Sequence, residues 1–233
     1  DATWLDTART AVHRAGFSVE VDGKRLPAER ASVTVEPFTD RLGAGMQVRQ
    51  QWAGPIAVER RLRVYDGNPA VAVSGSVTNR TDRNVRLGTA RVIDVASDKK
   101  GWWSMGRTYQ TPAVVGYPGA APPCRPADEM GPSAAGESFG SSGVLALAYR
   151  QPDCGLALGL VTAVEGSPSV AASFRPGQGG TGLVAVSSLA GRVLGPGKTV
   201  TLDTAWLSVE ADPLAVLEHY GNAVAAMARG PLR

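Results

Sequence analysis

The sequence predicts an all-β fold, a large antiparallel sandwich of two sheets that ends in a single helix. Two observations predict it. Apolar and polar residues alternate in short segments along most of the chain, as at residues 17–21, and this alternation is typical of half-buried strands. The 28 glycines and 16 prolines among 233 residues fall largely between these segments, where turns are expected. Short strands at this spacing indicate a sandwich or barrel rather than βαβ units.

The strand pattern divides into two blocks. The first block predicts strands at residues 17–21, 31–35, 46–52, 56–65, 70–77 and 85–95. The second predicts strands at residues 144–149, 156–163, 169–174, 183–189 and 199–209. Between them, residues 97–142 are rich in Gly and Pro and predict a long irregular segment that carries several aromatic side chains. This strand number exceeds that of an immunoglobulin domain, so we expect a larger sandwich.

The C-terminal segment predicts one helix. Asp212 suits the N-cap position, Pro213 suits the first helical position, and Gly230 followed by Pro231 ends the helix. We expect its buried face to carry five apolar residues at helical spacing: Leu214, Leu217, Tyr220, Val224 and Met227. The sequence therefore predicts a sandwich domain at residues 1–209 and a helical linker at residues 210–233, leading toward a following domain.

Composition and charge exclude several classes of function. The net charge is +3 and the basic residues are scattered, so we expect no nucleic-acid partner. No apolar run approaches the ~18 residues that a membrane-spanning helix needs. Two cysteines and two histidines provide too few ligands for a zinc ribbon or a His/Cys metal site, so we expect no metal and no cofactor.

The two cysteines lie in segments that predict loops. Cys124 is surrounded by prolines, and Cys154 lies in a Pro-Asp-Cys-Gly turn. Two loop cysteines are well placed to meet, and a bridge across 30 residues would contribute ~3 kcal/mol in the chain-entropy model. We expect a Cys124–Cys154 disulfide and a secreted or extracytoplasmic protein; two free thiols are the alternative.

Several motifs resemble a known family. Residues 194–202 (LGPGKTVTL) followed by residues 212–220 (DPLAVLEHY) resemble the junction between sandwich and barrel in α-galactosidase-type glycoside hydrolases, the melibiase and raffinose-synthase group. Residues 64–71 (VYDGNPAV) and 77–81 (VTNRT) resemble paired strands of that family's N-terminal β-supersandwich. Residues 106–111 (GRTYQT) occupy the place of a family loop but depart from its wording. The likeness extends over the layout of nearly the whole chain.

The resemblance implies a galactose-mutarotase-like supersandwich that precedes a catalytic (β/α)8 barrel. In that family both catalytic aspartates belong to the barrel, so no catalytic residue is assigned to this chain. Asp94 and Asp98 are the best local carboxylate candidates, but acids at strand ends usually form turns. His219 on the helix and His13, which precedes the first clear predicted strand, are poorly placed for mutarotase-like chemistry.

The aromatic segment is the strongest functional feature. Sugars stack their apolar faces on Trp and Tyr, while Arg and Gln side chains bond their hydroxyls. We expect a substrate-binding segment formed by Trp102, Trp103, Arg107, Tyr109 and Gln110. Adjacent residues of an extended chain point to opposite faces, so one Trp would pack on the sheet and the other would stay exposed. The alternative is that the Trp pair only anchors a loop.

The sequence therefore predicts a non-catalytic N-terminal domain of a glycoside hydrolase acting on α-galactoside-type carbohydrates. Its partners would be a galactoside and the catalytic barrel of the same protein, and its role would be to support the barrel and contribute a loop to the sugar pocket. Two alternatives stay open: an autonomous carbohydrate-binding module, and a structural or adhesion sandwich without a ligand.

Overall fold

The computed structural model describes residues 2–6, 10–26, 30–96, 100–105, 113–116, 124–125, 137–148, 155–163, 166–175 and 179–228. These residues form eighteen strands and one helix. In chain order they are β1 (Ala2–Asp6), β2 (Thr10–Val21), β3 (Lys24–Leu26), β4 (Ser32–Asp40), β5 (Gly43–Trp52), β6 (Ile56–Tyr65), β7 (Ala70–Asn79), β8 (Val85–Ala96), β9 (Trp102–Ser104), β10 (Ala113–Gly116), β11 (Cys124–Arg125), β12 (Glu137–Ser141), β13 (Val144–Ala148), β14 (Gly155–Leu160), β15 (Ser167–Arg175), β16 (Gly179–Leu194), β17 (Thr199–Thr201), β18 (Ala205–Glu210) and α1 (Pro213–Ala228).

The strands form two antiparallel sheets. Sheet A has the order β1-β2-β8-β16-β15-β12, with β3 beside β2 and with β9 between β2 and β16. Sheet B has the order β11-β10-β13-β14-β18-β7-β6-β5-β4, with β17 beside β7. The predicted all-β, two-sheet supersandwich with one C-terminal helix is confirmed.

The core lies between the inner faces of the two sheets. Its larger cluster includes Ile93 and Phe174 from sheet A and Leu147 and Leu158 from sheet B, all at most 1% exposed. A smaller cluster around Val19 and the neighbouring inward residues fills the other end of the sandwich. Each fully buried aliphatic or aromatic side chain of this kind contributes about 1.5–3 kcal/mol relative to an exposed one. The strand alternation read from the sequence therefore sets which side chains face this core.

Among the described residues, one arginine is buried inside the sandwich. Arg60, on β6, is 1% exposed, and its Nη1 donates a hydrogen bond to the carbonyl of Ala15 at 3.2 Å. Its guanidinium also lies 5.8 Å from the ring centre of Phe17. Burial lowers the pKa of Arg60 to about 10, so the side chain stays charged at neutral pH. This cation separates the two apolar clusters of the core.

At two places in the sandwich, two consecutive strands lie end to end beside the same neighbouring strand. In sheet A, β8 lies beside β2 and ends at Ala96, and the chain then returns beside β2 as β9 at Trp102. The amide of Gly101 donates to the carbonyl of Ala96 at 2.9 Å and closes this excursion. In sheet B, β17 and β18 lie in succession beside β7. Strand order therefore continues past both interruptions, with a register shift of one residue along β7 between β17 and β18.

Residues 97–142, predicted to be irregular, contain strands. Trp102–Ser104 lies within sheet A as β9, and β10, β11 and most of β12 also fall in this range. The prediction was wrong here because these strands have only two to five residues, too few for alternation within the segment to indicate them. The aromatic segment starts inside the sheet and does not project from it at Trp102 and Trp103.

The helix begins and packs largely as expected. The amide of Leu214 donates to the Asp212 carboxylate at 2.8 Å, which confirms the predicted N-cap. The predicted buried face is partly wrong, because Leu214 is 74% exposed while Val216 and Ala223 are buried. Tyr220 packs directly above Gly159 of β14, and its hydroxyl donates to the Leu160 carbonyl at 2.9 Å. The helix thus lies on the outer face of sheet B. No helix within the described ranges is long and apolar enough to cross a membrane.

Candidate functional site

The candidate site begins with the short strand β9, which lies between two longer strands. On one side it pairs with β2, where Trp102 faces His13 and Trp103 faces Val12. On the other side Trp103 pairs with Gly180 of β16. Because side chains alternate across a strand, these pairings direct the two tryptophans to opposite faces of sheet A.

Trp103 is part of the core. It is 1% exposed, and its indole Nε1 donates a hydrogen bond to the Gly182 carbonyl at 2.7 Å. Its ring lies 6.1 Å from the ring of Phe174. A Cβ atom on Gly180 would overlap with the indole, so the ring lies directly on the backbone of β16. Trp103 therefore fixes β9 in the sheet.

Trp102 lies on the outer face of sheet A. It is 42% exposed and stacks on His13, with the ring centres 5.5 Å apart and the ring planes at 25°. The stack supports one face of the indole and limits its rotation. The predicted division of the Trp pair, with one ring packed and one exposed, is confirmed.

An ion cluster occupies the same outer face, next to the His13–Trp102 stack. Asp94 pairs with Gly16, three residues along β2 from His13, and its carboxylate forms an ion pair with Arg25 and lies 3.7 Å from Nη1 of Arg91. The Nε of Arg25 also donates to the Ser18 hydroxyl at 2.8 Å. Asp94 is only 3% exposed, whereas both arginine side chains are nearly half exposed. The cluster therefore presents guanidinium N–H groups to solvent and keeps its carboxylate covered.

This arrangement suits the binding of a polyhydroxylated ring. A partly exposed indole offers an apolar surface for stacking, and guanidinium groups donate hydrogen bonds to hydroxyl oxygens. Asp94, held between two arginines, is not a free proton acceptor. Within the described residues no group of three or more His, Cys, Asp or Glu side chains could hold a metal ion.

The remaining predicted site residues lie outside the described residues. Arg107, Tyr109 and Gln110 belong to this set, so their substrate-binding role stays a prediction. The backbone of Cys124, in β11, pairs with that of Val115, in β10. Cys154 lies outside the described residues, so the disulfide also stays a prediction. Asp98 falls outside them as well.

His13 is a site residue that sequence reasoning missed. It was expected before the first strand, yet it lies inside β2 and forms the base of the Trp102 stack. Arg14 has a positive φ of 54°, and this backbone irregularity breaks the period-two pattern that would have indicated the strand. The second histidine, His219, lies on α1, where its Nδ1 contacts the Glu210 carboxylate, away from this face.

Comparison with solved structures places the fold. The chain is similar to the galactosidase domain of alpha-galactosidase-sucrose kinase AgaSK, with a TM-score of 0.58 and 15% identity over 89% of this chain and 31% of that one. It is also similar to a GH36 alpha-galactosidase from Geobacillus stearothermophilus solved with stachyose, with a TM-score of 0.52 and 12% identity over 89% of this chain and 32% of that one. The expected likeness to α-galactosidases is confirmed at the level of the fold.

The chain is also similar to a solved structure whose title names a different kind of enzyme. It is a putative aldose 1-epimerase from Klebsiella pneumoniae, with a TM-score of 0.54 and 10% identity over 86% of this chain and 59% of that one. The sequence itself matches no protein-family model and no curated protein. This chain spans about a third of the α-galactosidases it resembles, and the supersandwich fold is what it shares with them.

Proposed function

We propose that this chain is the non-catalytic sandwich domain of a glycoside hydrolase acting on α-galactoside-type carbohydrates. The observation that carries the proposal is the likeness to the AgaSK galactosidase domain, which extends over 89% of this chain and only 31% of that one. In this proposal residues 1–209 form the sandwich and residues 210–233 lead into a (β/α)8 barrel that supplies the catalytic carboxylates. The fold alone does not define an activity, so the site must carry the remaining argument.

The outer face of sheet A would form one wall of the sugar pocket. The exposed indole of Trp102, supported by His13, gives a stacking surface, and Arg25 and Arg91 give donors near it. Arg107, Tyr109 and Gln110 follow β9 in sequence and would extend this wall. A residue that only binds substrate is expected to affect substrate affinity more than folding.

The chain itself would not hydrolyse galactosides. Glycosidases use two carboxyl groups about 5–9.5 Å apart, one of which must act as an acid and the other as a base or nucleophile. Asp94, the best candidate from the sequence, is engaged by Arg25 and Arg91. We expect no turnover of a nitrophenyl α-galactoside by the purified chain; turnover that is lost on changing one of its carboxylates would contradict the proposal.

The natural gene product provides the sharpest test. We expect its coding sequence to continue beyond Arg233 into a barrel with two catalytic aspartates, and the full protein to hydrolyse α-galactosides. We also expect a secreted protein in which Cys124 and Cys154 are oxidised; thiol titration under denaturing, non-reducing conditions would then find no free thiol. A full-length product without a catalytic domain would overturn the assignment.

Binding measurements separate the proposal from its alternatives. If the chain is a wall of a larger pocket, calorimetry with galactose and raffinose should show little binding to the isolated chain, while Trp102→Ala in the full enzyme raises KM. The matched control is Trp102→Phe, which keeps an aromatic ring on His13 and should retain most of the affinity. Tight binding by the chain alone would favour an autonomous carbohydrate-binding module. No change in KM for Trp102→Ala would favour a structural sandwich.

A further inference from the structure

An open cavity lies at the far end of the sandwich from Trp102. It has a volume of about 520 Å³ and is formed by the β2–β3 hairpin, the β5–β6 turn and the turn that precedes β8. Val21 lines it, whereas His13 lies eight residues away at the other end of β2. At ~3.3 Å per residue this is roughly 26 Å, so the cavity is separate from the candidate sugar wall.

The interior of the cavity is apolar. Trp52 lines it and is itself held parallel to Phe17, with ring centres 6.1 Å apart and planes at 5°. The aliphatic lining residues are Val21, Leu26, Ile56, Val58 and Val85. The volume falls within the range of about 300–1,000 Å³ that is typical of small-molecule sites, whose walls are mostly apolar with few polar groups.

The mouth of the cavity carries an excess positive charge. Its charged lining residues are Asp22, Lys24 and Arg83. One oxygen of Asp22 accepts the backbone amide of Arg86 at 2.8 Å, and the other forms an ion pair with Arg83 at 2.9 Å. The amide of Arg86 and the charge of Arg83 hold the pKa of Asp22 below its ordinary value, so this carboxylate is ionised and engaged at neutral pH.

The ammonium of Lys24 is the charge left at the mouth. Among the described residues, none of the ion pairs involves Lys24. An apolar interior below one unneutralised cation is complementary to a molecule with an apolar body and one anionic group. A neutral sugar is less suited, because the walls offer few partners for its hydroxyls.

We propose that this cavity binds a small amphiphilic carboxylate. An alkyl or aryl group would occupy the space between Trp52, Val58 and Val85, and the carboxylate would lie at the mouth against Lys24. This inference does not depend on the glycosidase assignment, because the cavity and the Trp102 face are distinct and can be tested separately.

Calorimetry with three probes of equal chain length tests the proposal. Octanoate, 1-octanol and octylammonium share the apolar body and differ in head-group charge. We expect octanoate to bind most tightly and octylammonium least. In the Lys24→Gln variant the affinity for octanoate should fall about fivefold, toward that of octanol, because an ion pair near the surface contributes on the order of 1 kcal/mol. Lys100→Gln, which changes an exposed lysine next to β9 at the Trp102 end of the sandwich, is the matched control and should leave the affinity unchanged.

The location of binding is tested by NMR with methyl-labelled protein. Octanoate should shift the methyl signals of Val21, Val58 and Val85 and leave those of Val170, in the main core, unchanged. Equal affinities for the three probes, an unchanged affinity in Lys24→Gln, shifts confined to other methyl groups, or no binding up to the solubility of octanoate would each overturn the proposal. None of these outcomes alters the test of the proposed function, which uses galactosides and Trp102.

Discussion

The outer face of each sheet carries a tryptophan, and the two tryptophans differ in how much of the side chain is exposed. Trp206, on β18 of sheet B, is 1% exposed because α1 packs over it. Trp102, on β9 of sheet A, is 42% exposed and stacks on His13. Both side chains project outward from a strand of the same sandwich. The helix covers Trp206, whereas the ring of Trp102 stays partly exposed.

The covered face shows what closing such a surface requires. Tyr220 lies on the bare backbone of Gly159 and donates its hydroxyl proton to the Leu160 carbonyl at 2.9 Å. Val216 and Ala223 complete the contact and are almost fully buried. A small residue in the sheet thus leaves room for the apolar side chains of the helix that pack on it. On sheet A the corresponding apolar ring is framed by an ion cluster, which favours a polar partner over a packed helix.

The largest expected effect comes from truncating each tryptophan in turn. Trp206→Ala removes a fully buried ring and should lower the free energy of unfolding by about 3–5 kcal/mol. Trp102→Ala removes a half-exposed ring and should cost below about 1 kcal/mol. Urea unfolding followed by circular dichroism measures both. Similar losses for the two variants would show that Trp102 is as structural as Trp206.

The inner side of β9 gives the next effect. Gly180→Ala places a Cβ into the Trp103 ring and should destabilise the chain by about 1–3 kcal/mol, because the ring or β16 must move. Gly140→Ala on β12 of the same sheet is the control, since the nearest atom to its Cβ would be the Val170 carbonyl at 3.7 Å. Thermal unfolding of both variants checks this. Equal stability of the two would contradict the close packing of Trp103.

The contact between helix and sheet is tested by Gly159→Ala. Its Cβ would overlap with the Tyr220 ring, so we expect the helix to lose part of its contact with sheet B, at a cost of about 1–2 kcal/mol. Hydrogen exchange at residues 216–224 should accelerate. Gly221→Ala, on the open side of the helix, should instead stabilise it by up to about 1 kcal/mol. Unchanged exchange in Gly159→Ala would be the contrary result.

The smallest effect concerns pH and the charged part of the sheet B face. Burial raises the pKa of Glu59, but hydrogen bonds from Gln51 and Arg49 and the charge of Arg61 outweigh it, so the pKa lies below its ordinary value of 4.5. The stabilisation is therefore complete above pH 4.5 and is lost as the pH falls through the lowered folded-state pKa.

Two variants isolate this contribution. In Glu59→Gln, stability should be lower at pH 7 and should change less below pH 4.5 than in the unchanged protein. Glu218→Gln, on the exposed side of the helix, is the control and should leave the pH profile as it is. Denaturant unfolding between pH 3 and 7 provides the comparison. If stability fell with the same slope below pH 4.5 in Glu59→Gln, the interactions of Glu59 would not account for the loss of stability in acid.

Most of the fold could be predicted because it rests on local patterns. Period-two alternation indicated the long strands, and Asp212 with Pro213 indicated the start of the helix. The sequence did not indicate β9, because its place is set by β2 and β16, about 90 and 80 residues away along the chain. Likewise the helix residues that face the sheet, Val216 instead of Leu214, depend on the surface around Gly159, which the helix's own sequence does not describe.

In sheet A, the interruption between β8 and β9 allows the length of the connecting loop to change without changing the geometry of the sheet. The hydrogen bond from Gly101 to Ala96 closes the excursion at its base, and β9 resumes the same row on the far side. Residues can therefore be added or removed between these two positions without shifting the register of any strand. Loop closure becomes more costly only slowly with length, by about 0.6 kcal/mol for each doubling. A new recognition element can therefore be inserted at this point, beside Trp102, while the sandwich stays intact.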